Sequence, residues 1–221
     1  MQQGYILIID GDNVNCSYLS SFTKYIEDHF GHILEIHLVG KLKSSYLDDW
    51  NQTLKSNPNM FAHTVEENDK NSTDIKMAFI AFQKYFAEEA YRNFVILSSD
   101  SDMISVSAGL PSDVNLIIGY SKRKASPKYL ADLDKRGITR IDIDSVRGEL
   151  SEADLCAIVN KTMETYISFK LSDKFFSYAT VQEWLEDRYP GIDSINAANI
   201  HKYCKDLTIQ FTPSGISIKK T

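Results

Sequence analysis

Short apolar runs that end at polar turn residues alternate with helical patterns through residues 4–144. The first run, residues 5–9, stops abruptly at Asp10-Gly11. A continuous apolar run of this length is typical of a strand buried on both faces, as in a parallel sheet. The alternation predicts an α/β fold with a central parallel sheet and right-handed crossovers. Further strands are predicted at residues 32–39, 60–65, 93–97, 114–120 and 137–143, with helices at 17–30, 44–55, 74–89, 103–110 and ending near 135.

The helix predicted at residues 74–89 follows a polar loop, and Ser72 or Thr73 is expected to cap its N-terminus. Apolar residues recur along it at helical spacing. Its predicted apolar face comprises Ile75, Ala78, Phe79, Phe82 and Phe86.

The strand–helix alternation stops near Arg147-Gly148. We therefore predict two domains, residues 1–148 and 149–221. Helices expected at 151–169, 180–189 and 194–207, followed by a hairpin over 208–220, are enough for a small, mainly helical, winged-helix-like module. Its expected recognition helix, 195–207, carries His201, Lys202 and Lys205. The sequence leaves open whether this module binds nucleic acid, binds a protein partner or forms a homodimer.

Composition narrows the class of partner and the compartment. The net charge of the 221-residue chain is −6, so a nucleic acid would have to be bound by a local basic patch. The three cysteines are scattered without metal-ligand spacing and are expected to be reduced thiols of a cytoplasmic protein. We find neither a signal-peptide pattern nor an apolar run near the ~20 residues of a membrane span.

Four aspartates are expected at one edge of the predicted sheet. Asp10 and Asp100 follow strands, whereas Asp74 and Asp102 begin helices. The carboxyl ends of parallel strands share an edge, where such folds place their functional residues, and the four converge if the first and fourth strands are neighbours. Carboxylates this close repel one another unless a cation intervenes. Their hard oxygens suit Mg²⁺ or Mn²⁺, which can activate water for an in-line phosphoryl displacement.

Each aspartate taken alone also fits a turn or a helix cap. Asp69, Asp142 and Asp144 are interpreted as solvated loop or strand-end residues. Asn13 is expected either to contact substrate or to hold Asp10, and it could equally be a turn residue.

A basic turn follows the fifth predicted strand at the same edge, and we interpret it as the segment that holds a phosphate backbone. A solvated loop is the alternative interpretation of this run of charge. The predicted substrate-contacting residues are Asn13, Ser98, Lys41, Lys122, Arg123, Lys124 and Lys128, and Lys43 could extend the set.

Three blocks of sequence resemble the signature blocks of the NYN domain family of PIN-like nucleases: residues 9–14, 72–75 and 97–103. The fifth strand and the basic, serine-containing turn after it, residues 118–130, are also similar to that family. The resemblance covers about residues 4–144. Ser99 stands where many members have glycine.

The resemblance implies a three-layer α/β/α PIN-like domain with Mg²⁺- or Mn²⁺-dependent hydrolysis of phosphodiester bonds, usually in RNA. It implies that Asp10, Asp74, Asp100 and Asp102 are metal ligands with catalytic roles. We therefore expect a ribonuclease that uses a water activated by a divalent metal.

Two other functions remain open. A haloacid-dehalogenase-like phosphatase would use Asp10 as nucleophile and the aspartate two residues on as acid/base, with Asp100 and Asp102 on Mg²⁺. It would leave Asp74 without a role, and we find no cap insertion after the first strand. Alternatively, a PIN-like module could bind RNA or protein without catalysis.

Overall fold

The computed structural model describes residues 4–41, 48–65, 71–87, 91–146, 155–156, 159–160, 163, 175–188, 195–204 and 207–220. The chain divides into two compact units, Met1–Arg147 and Gly148–Thr221. Among the helices of the described residues, none combines the length and the apolar character that a membrane span requires.

The first unit is built on a six-stranded sheet in which every paired strand is parallel to its neighbour. The strands are β1 (Gly4–Asp10), β2 (His32–Gly40), β3 (Met60–Thr64), β4 (Asn93–Leu97), β5 (Asn115–Tyr120) and β6 (Thr139–Asp142). Their order is β3-β2-β1-β4-β5-β6. Strands β1 and β4 are therefore neighbours, which is the condition for the predicted convergence of the aspartates. The order changes direction beside β1, where doubly wound folds place their ligands.

Helices connect the strands and cover both faces of the sheet. They are α1 (Leu19–His29), preceded by a 3-10 turn at Cys16–Tyr18, then α2 (Asp48–Ser56), α3 (Ser72–Tyr85), α4 (Met103–Gly109), α5 (Pro127–Lys135) and the short α6 (Ile143–Val146). The sequence did not predict α6. The bounds of the other helices agree with the predicted ones to within a few residues, except that residues 44–47 and 88–89 of the predicted helices lie outside the described residues.

Alternate residues of β1 enter two separate cores. Leu7 and Ile9 pack in one core with Phe22 of α1 and Trp50 of α2. Ile6 and Ile8 pack in the other, with α3, α4 and α5. A strand buried on both faces explains why its sequence is a continuous apolar run. The predicted three-layer α/β/α fold is confirmed.

The predicted apolar face of α3 is wrong. The residues that this helix buries are Met77, Ile80 and Ala81. Exposed fractions of the predicted face reach 65% for Ile75, 59% for Phe79 and 75% for Phe86. Apolar residues occur on nearly every side of α3, so their spacing cannot decide which side packs on the sheet. At the polar start of the helix, Thr73 donates a hydrogen bond to Asp12 at the carboxyl edge of the sheet.

The second unit contains a three-stranded antiparallel sheet and a helix. Its elements are β7 (Phe175–Phe176), α7 (Tyr178–Arg188), β8 (Leu207–Thr212) and β9 (Gly215–Lys220), with strand order β7-β9-β8. The predicted hairpin is confirmed by the pairing of β8 with β9. Of the helix predicted at 151–169, only five residues are described; they are helical, and Leu155, Val159 and Met163 are buried.

The helix predicted at residues 194–207 is wrong over its described part. Residues 195–204 form turns and a 3-10 helix at Ile200–Lys202, and Leu207 already belongs to β8. Asn196 accepts hydrogen bonds through its side chain from the amides of Ala198 and Asn199. Such local side-chain bonds compete with helical hydrogen bonding. The region thus has a helix and a small sheet, and its winged-helix identity stays a prediction.

Candidate active site

Asp10 ends β1 and is fully buried, with 0% of its surface exposed. Its Oδ1 accepts hydrogen bonds from the amides of Asp12 and Asn13, both at 3.2 Å. Its Oδ2 accepts from Asn13 Nδ2 at 2.7 Å and from Ser98 Oγ at 2.9 Å. Burial raises the pKa of Asp10, and the hydrogen bonds from Asn13 and Ser98 oppose that rise.

Ser98 connects Asp10 to the loop that follows β4. Its hydroxyl donates to Asp10 and accepts from the amide of Asp100 at 3.1 Å. Ser98 itself is 0% exposed, so its contacts are with the protein interior. Asn13 likewise holds Asp10, which is one of the alternatives that the sequence left open for it.

Asp74 lies in the first turn of α3 and is partly buried. Its pKa is raised from 3.8 to about 6, first by burial and then by the charges of Asp100, Asp10, Asp102 and Asp12. The four predicted aspartates therefore lie close enough at this edge for their charges to act on Asp74, and Asp12 is a fifth. Asp100 and Asp102 are linked locally, because the Asp102 amide donates to Asp100 Oδ1 at 3.0 Å.

The donor set consists of carboxylate oxygens whose mutual repulsion a cation would relieve, which fits Mg²⁺ or Mn²⁺. Within the described ranges, however, no group of three or more His, Cys, Asp or Glu side chains is arranged so that it could hold a metal ion. Both oxygens of Asp10 already accept hydrogen bonds. The arrangement therefore fits a cation that keeps much of its hydration and contacts only one or two carboxylates, as Mg²⁺ commonly does.

Asp12 was not among the predicted site residues, yet it contributes to the charge around Asp74. Its Oδ1 accepts from the amide of Lys41, and its Oδ2 accepts from Thr73 Oγ1, both at 2.9 Å. Its position two residues after Asp10 was a signal in the sequence, and the phosphatase alternative gave it the role of acid/base. That spacing also occurs in ordinary turns.

We call the five aspartates at positions 10, 12, 74, 100 and 102 the acidic edge. The basic turn, residues 121–128 after β5, lies beside it. Lys124 Nζ donates to the backbone oxygen of Asn13 at 3.0 Å, which ties the turn to the loop after β1. The side chains of Lys122, Arg123 and Lys128 are exposed, and that of Lys41 is partly exposed. A pocket of about 280 Å³ separates the two loops, and it is lined by Asn13, Ser99, Asp100, Ser101, Lys124 and Ser126.

Asp144 was interpreted as a solvated residue, and that interpretation is wrong. Its carboxylate accepts hydrogen bonds from Tyr18 Oη at 2.9 Å and from Ser121 Oγ at 2.8 Å. Asp142 accepts from the amides of Lys122 and Asp144. Both aspartates therefore support the base of the basic turn. Asp69 and Lys43 lie outside the described residues.

A larger groove of about 490 Å³ lies between α1 and α2, on the side of the sheet that these two helices cover. None of the aspartates of the acidic edge lines it. The candidate site is therefore placed by its chemistry and not by the size of the cavity.

A comparison with known families identifies the domain that carries this site. The NYN domain matches residues 5–142, well over half of the chain. The chain belongs to the NYN domain family. The family places it among PIN-like nucleases and implies a nucleic-acid substrate.

The three NYN-like blocks of the sequence lie at the end of β1, at the start of α3 and at the end of β4, and so they meet at one edge. A comparison with curated proteins found no match. Among solved structures, a protein of unknown function from Vibrio parahaemolyticus is 11% identical with a TM-score of 0.46. The match covers 64% of this chain and 94% of that one.

Proposed function

We propose that this NYN domain is a metal-dependent nuclease that hydrolyses phosphodiester bonds, with RNA as its substrate. The observation that carries the proposal is the electrostatic state of Asp74, whose pKa of about 6 reflects burial among four other carboxylates. Strongly perturbed titratable groups at a sheet edge are typical of functional sites. Membership of the NYN domain family supplies the reaction class.

In this proposal Asp10, Asp74, Asp100 and Asp102 would hold Mg²⁺ or Mn²⁺, one or two of them by direct contact and the others through water bound to the ion. A divalent ion in such a site would activate water and stabilise the negative charge that develops on the phosphate oxygens. The protein's own contribution is to orient the carboxylates. The side chains of Asn13 and Ser98 fix Oδ2 of Asp10, and the backbone amides of Asp12 and Asn13 fix Oδ1. Ser98 also accepts a hydrogen bond from the amide of Asp100.

The basic turn would hold the phosphate backbone of the substrate beside these acids. Lys122, Arg123, Lys124 and Lys128 supply positive charge there, and Lys41 supplies it at the end of β2. The pocket between the two loops would take one nucleotide, with Asn13 and Lys124 as polar contacts. This local positive charge would allow a nucleic acid to bind here, although the net charge of −6 of the whole chain repels it.

A phosphatase that used Asp10 as nucleophile fits the geometry less well. A carboxylate that attacks phosphorus needs an accessible oxygen. Asp10 is 0% exposed and accepts hydrogen bonds at both oxygens. Asp74, which that mechanism leaves without a role, has a pKa raised to about 6 by burial and by the neighbouring carboxylates.

The test is a panel of labelled RNA and DNA, single-stranded and structured, incubated with Mg²⁺, with Mn²⁺ and with EDTA. We expect cleavage of RNA that requires a divalent ion. Hydrolysis of a simple phosphate ester with trapping of a phosphorylated Asp10 would favour the phosphatase instead. Silence towards every substrate, with RNA retained in a binding assay, would favour a non-catalytic module.

A further inference from the structure

Asp12 joins three elements that meet at the acidic edge. Its amide donates to Asp10 Oδ1 at the end of β1. Its two carboxylate oxygens accept from the Lys41 amide, which follows β2, and from Thr73 Oγ1, which lies in the first turn of α3. Each of the last two hydrogen bonds is 2.9 Å long and spans 29 residues or more of sequence.

The end of β2 leaves room for this carboxylate. A Cβ at Gly40 would lie 2.9 Å from Asp12 Oδ1 and 3.4 Å from the Asp12 amide nitrogen. A side chain at position 40 would therefore push the Asp12 carboxylate away from its hydrogen-bond partners.

The start of α3 depends on the same carboxylate. Asn71, the N-cap residue, has a left-handed φ of 75° and makes no capping hydrogen bond through its side chain. Asp12 bonds Thr73 from another element and places a negative charge near the positive end of the helix dipole. Thr73 immediately precedes Asp74, so the contact that fixes Thr73 also fixes the direction in which Asp74 leaves the helix.

We propose that Asp12 is a positioning residue, which holds the start of α3, and with it Asp74, in the orientation that the acidic edge requires for binding a divalent cation. The inference rests on the proposed function, because it concerns the metal-binding competence of the same site. Asp12 acts through Thr73 and Lys41.

Four variants separate positioning from direct ligation: Asp12→Asn, Asp12→Ala, Thr73→Val and Thr73→Ser. Asn at position 12 can still accept from the Lys41 amide and can donate to Thr73, so it keeps the geometry without the charge. Ser at position 73 keeps the hydroxyl, and Thr73→Val removes it with little change in shape. Mn²⁺ affinity, measured by electron paramagnetic resonance on each folded protein, is the readout, with Asp28→Ala on the exposed face of α1 as control.

We expect Asp12→Ala and Thr73→Val each to weaken Mn²⁺ binding by about 10-fold to 100-fold, the range found for residues that orient metal ligands. The double variant Asp12→Ala/Thr73→Val should bind Mn²⁺ no more weakly than Asp12→Ala does, because both single changes remove the same hydrogen bond between Thr73 and Asp12. Thr73→Ser should bind almost as the wild type does, and Asp12→Asn, which keeps both contacts but loses the charge, should lose at most a few-fold. A loss of tenfold or more in Asp12→Asn with no loss in Thr73→Val would make Asp12 a direct ligand and overturn the inference.

Hydrogen exchange at the start of α3, without metal, tests the contact apart from any nuclease activity. We expect exchange in a peptide covering residues 72–78 to be faster in Thr73→Val by about tenfold, and unchanged in Thr73→Ser. Unchanged exchange in Thr73→Val would overturn the inference even if the wild type cleaves RNA. A wild type that neither cleaves nor binds Mn²⁺ would defeat the proposed function, while faster exchange would still show that Asp12 anchors α3.

Discussion

At the carboxyl edge of the sheet, acidic side chains lie close to one another, whereas the polar side chains of β2 and β3 pair hydrogen-bond donors with acceptors. His37 on β2 is only 4% exposed. Its Nε2 lies 2.9 Å from Glu35 Oε2, and its Nδ1 lies 2.9 Å from Nε2 of His63 on β3. Lys84 of α3 forms an ion pair with Glu35. Each group in this cluster therefore has a complementary partner.

The proton positions follow from the chemistry of the cluster. A carboxylate only accepts, so His37 Nε2 donates to Glu35. His37 Nδ1 is then the acceptor, and His63 Nε2 donates to it. Burial is the first cause that lowers the pKa of His37, from 6.5 to about 4, so the ring is neutral at neutral pH.

The two clusters differ in what would satisfy them. The His37 cluster is complete within the chain and joins the edge strand β3 to the rest of the sheet. The acidic edge has like charges around Asp74 that raise its pKa to about 6, and a cation is what would complete it. Polar groups that oppose folding in this way are typical of functional sites, whereas satisfied ones are typical of structural sites.

The largest effect is expected for Asp10→Asn. An amide would place a donor where Asn13, Ser98 and two backbone amides all donate, and leaving buried donors without an acceptor costs about 1–3 kcal/mol of unfolding free energy. We expect cleavage to be lost and the urea midpoint to fall. Asp28→Asn, an exposed carboxylate on α1, should change unfolding free energy by less than about 0.5 kcal/mol. Full activity of Asp10→Asn would contradict the role assigned to this residue.

Divalent ions should stabilise the acidic edge and leave the His37 cluster unaffected. A ligand at a hundred times its dissociation constant stabilises the folded state by about 2.7 kcal/mol. We therefore expect millimolar Mg²⁺ or Mn²⁺ to raise the melting temperature of the wild type, and to raise that of Asp74→Asn much less. An equal rise in both proteins would place the ion elsewhere.

Without metal, the sign of the Asp74 effect reverses. Its pKa is raised in the folded state, so its stabilising contribution is full below pH 3.8 and is lost as the pH rises through about 6. Asp74→Asn, which cannot ionise, should therefore melt at a higher temperature than the wild type at neutral pH in EDTA. The difference should shrink at acidic pH, and a variant less stable than the wild type at neutral pH would contradict the crowding of charge.

The His37 cluster should respond to pH in the opposite direction. The pKa of His37 is depressed to about 4 in the folded state, so its contribution to stability is present above pH 6.5 and is lost as the pH falls towards 4. We expect His37→Gln to lower unfolding free energy by about 1–3 kcal/mol at neutral pH, because Glu35 and His63 lose their partner. Chemical denaturation at several pH values should show this gap closing on acidification; a gap that widens would refute the neutral ring.

The smallest effect is expected at the basic turn. Lys124→Ala should raise KM a few-fold with little change in kcat, and should reduce the slope of log affinity against log salt by about one. Lys135→Ala, at the opposite end of α5, is the matched control. Equal effects of the two changes on the salt slope would mean that Lys124 makes no specific phosphate contact.

The sequence alone predicted the parts of the fold that depend on local pattern. The continuous apolar run of β1 requires burial on both faces, and the similar run of β4 predicted a second strand of the same kind. The positions of Asp10, Asp74 and Asp100 at strand ends and at a helix start followed from the same pattern. Their placement at one edge then depended only on β1 and β4 being neighbours.

What the sequence did not predict depends on contacts between distant residues. The rotation of α3 cannot be read from a helix with apolar residues on most sides, and it is linked to the Thr73–Asp12 hydrogen bond. Nothing near Asp144 in the sequence indicates its hydrogen-bond partner, because the donor Tyr18 is 126 residues away along the chain. Asparagine favours turns over helix interiors, and Asn196 and Asn199 each accept a hydrogen bond from the other's backbone amide, which replaces the predicted helix by a turn.

The most direct test of the central claim compares RNA cleavage by the wild type and by Asp100→Asn in Mn²⁺, with the wild type in EDTA alongside. Asp100 is only partly buried and contributes to the charge around Asp74, so the variant should fold normally. The account predicts cleavage by the wild type in Mn²⁺ and essentially none in the other two reactions. Cleavage by Asp100→Asn at the wild-type rate, or cleavage that persists in EDTA, would contradict it.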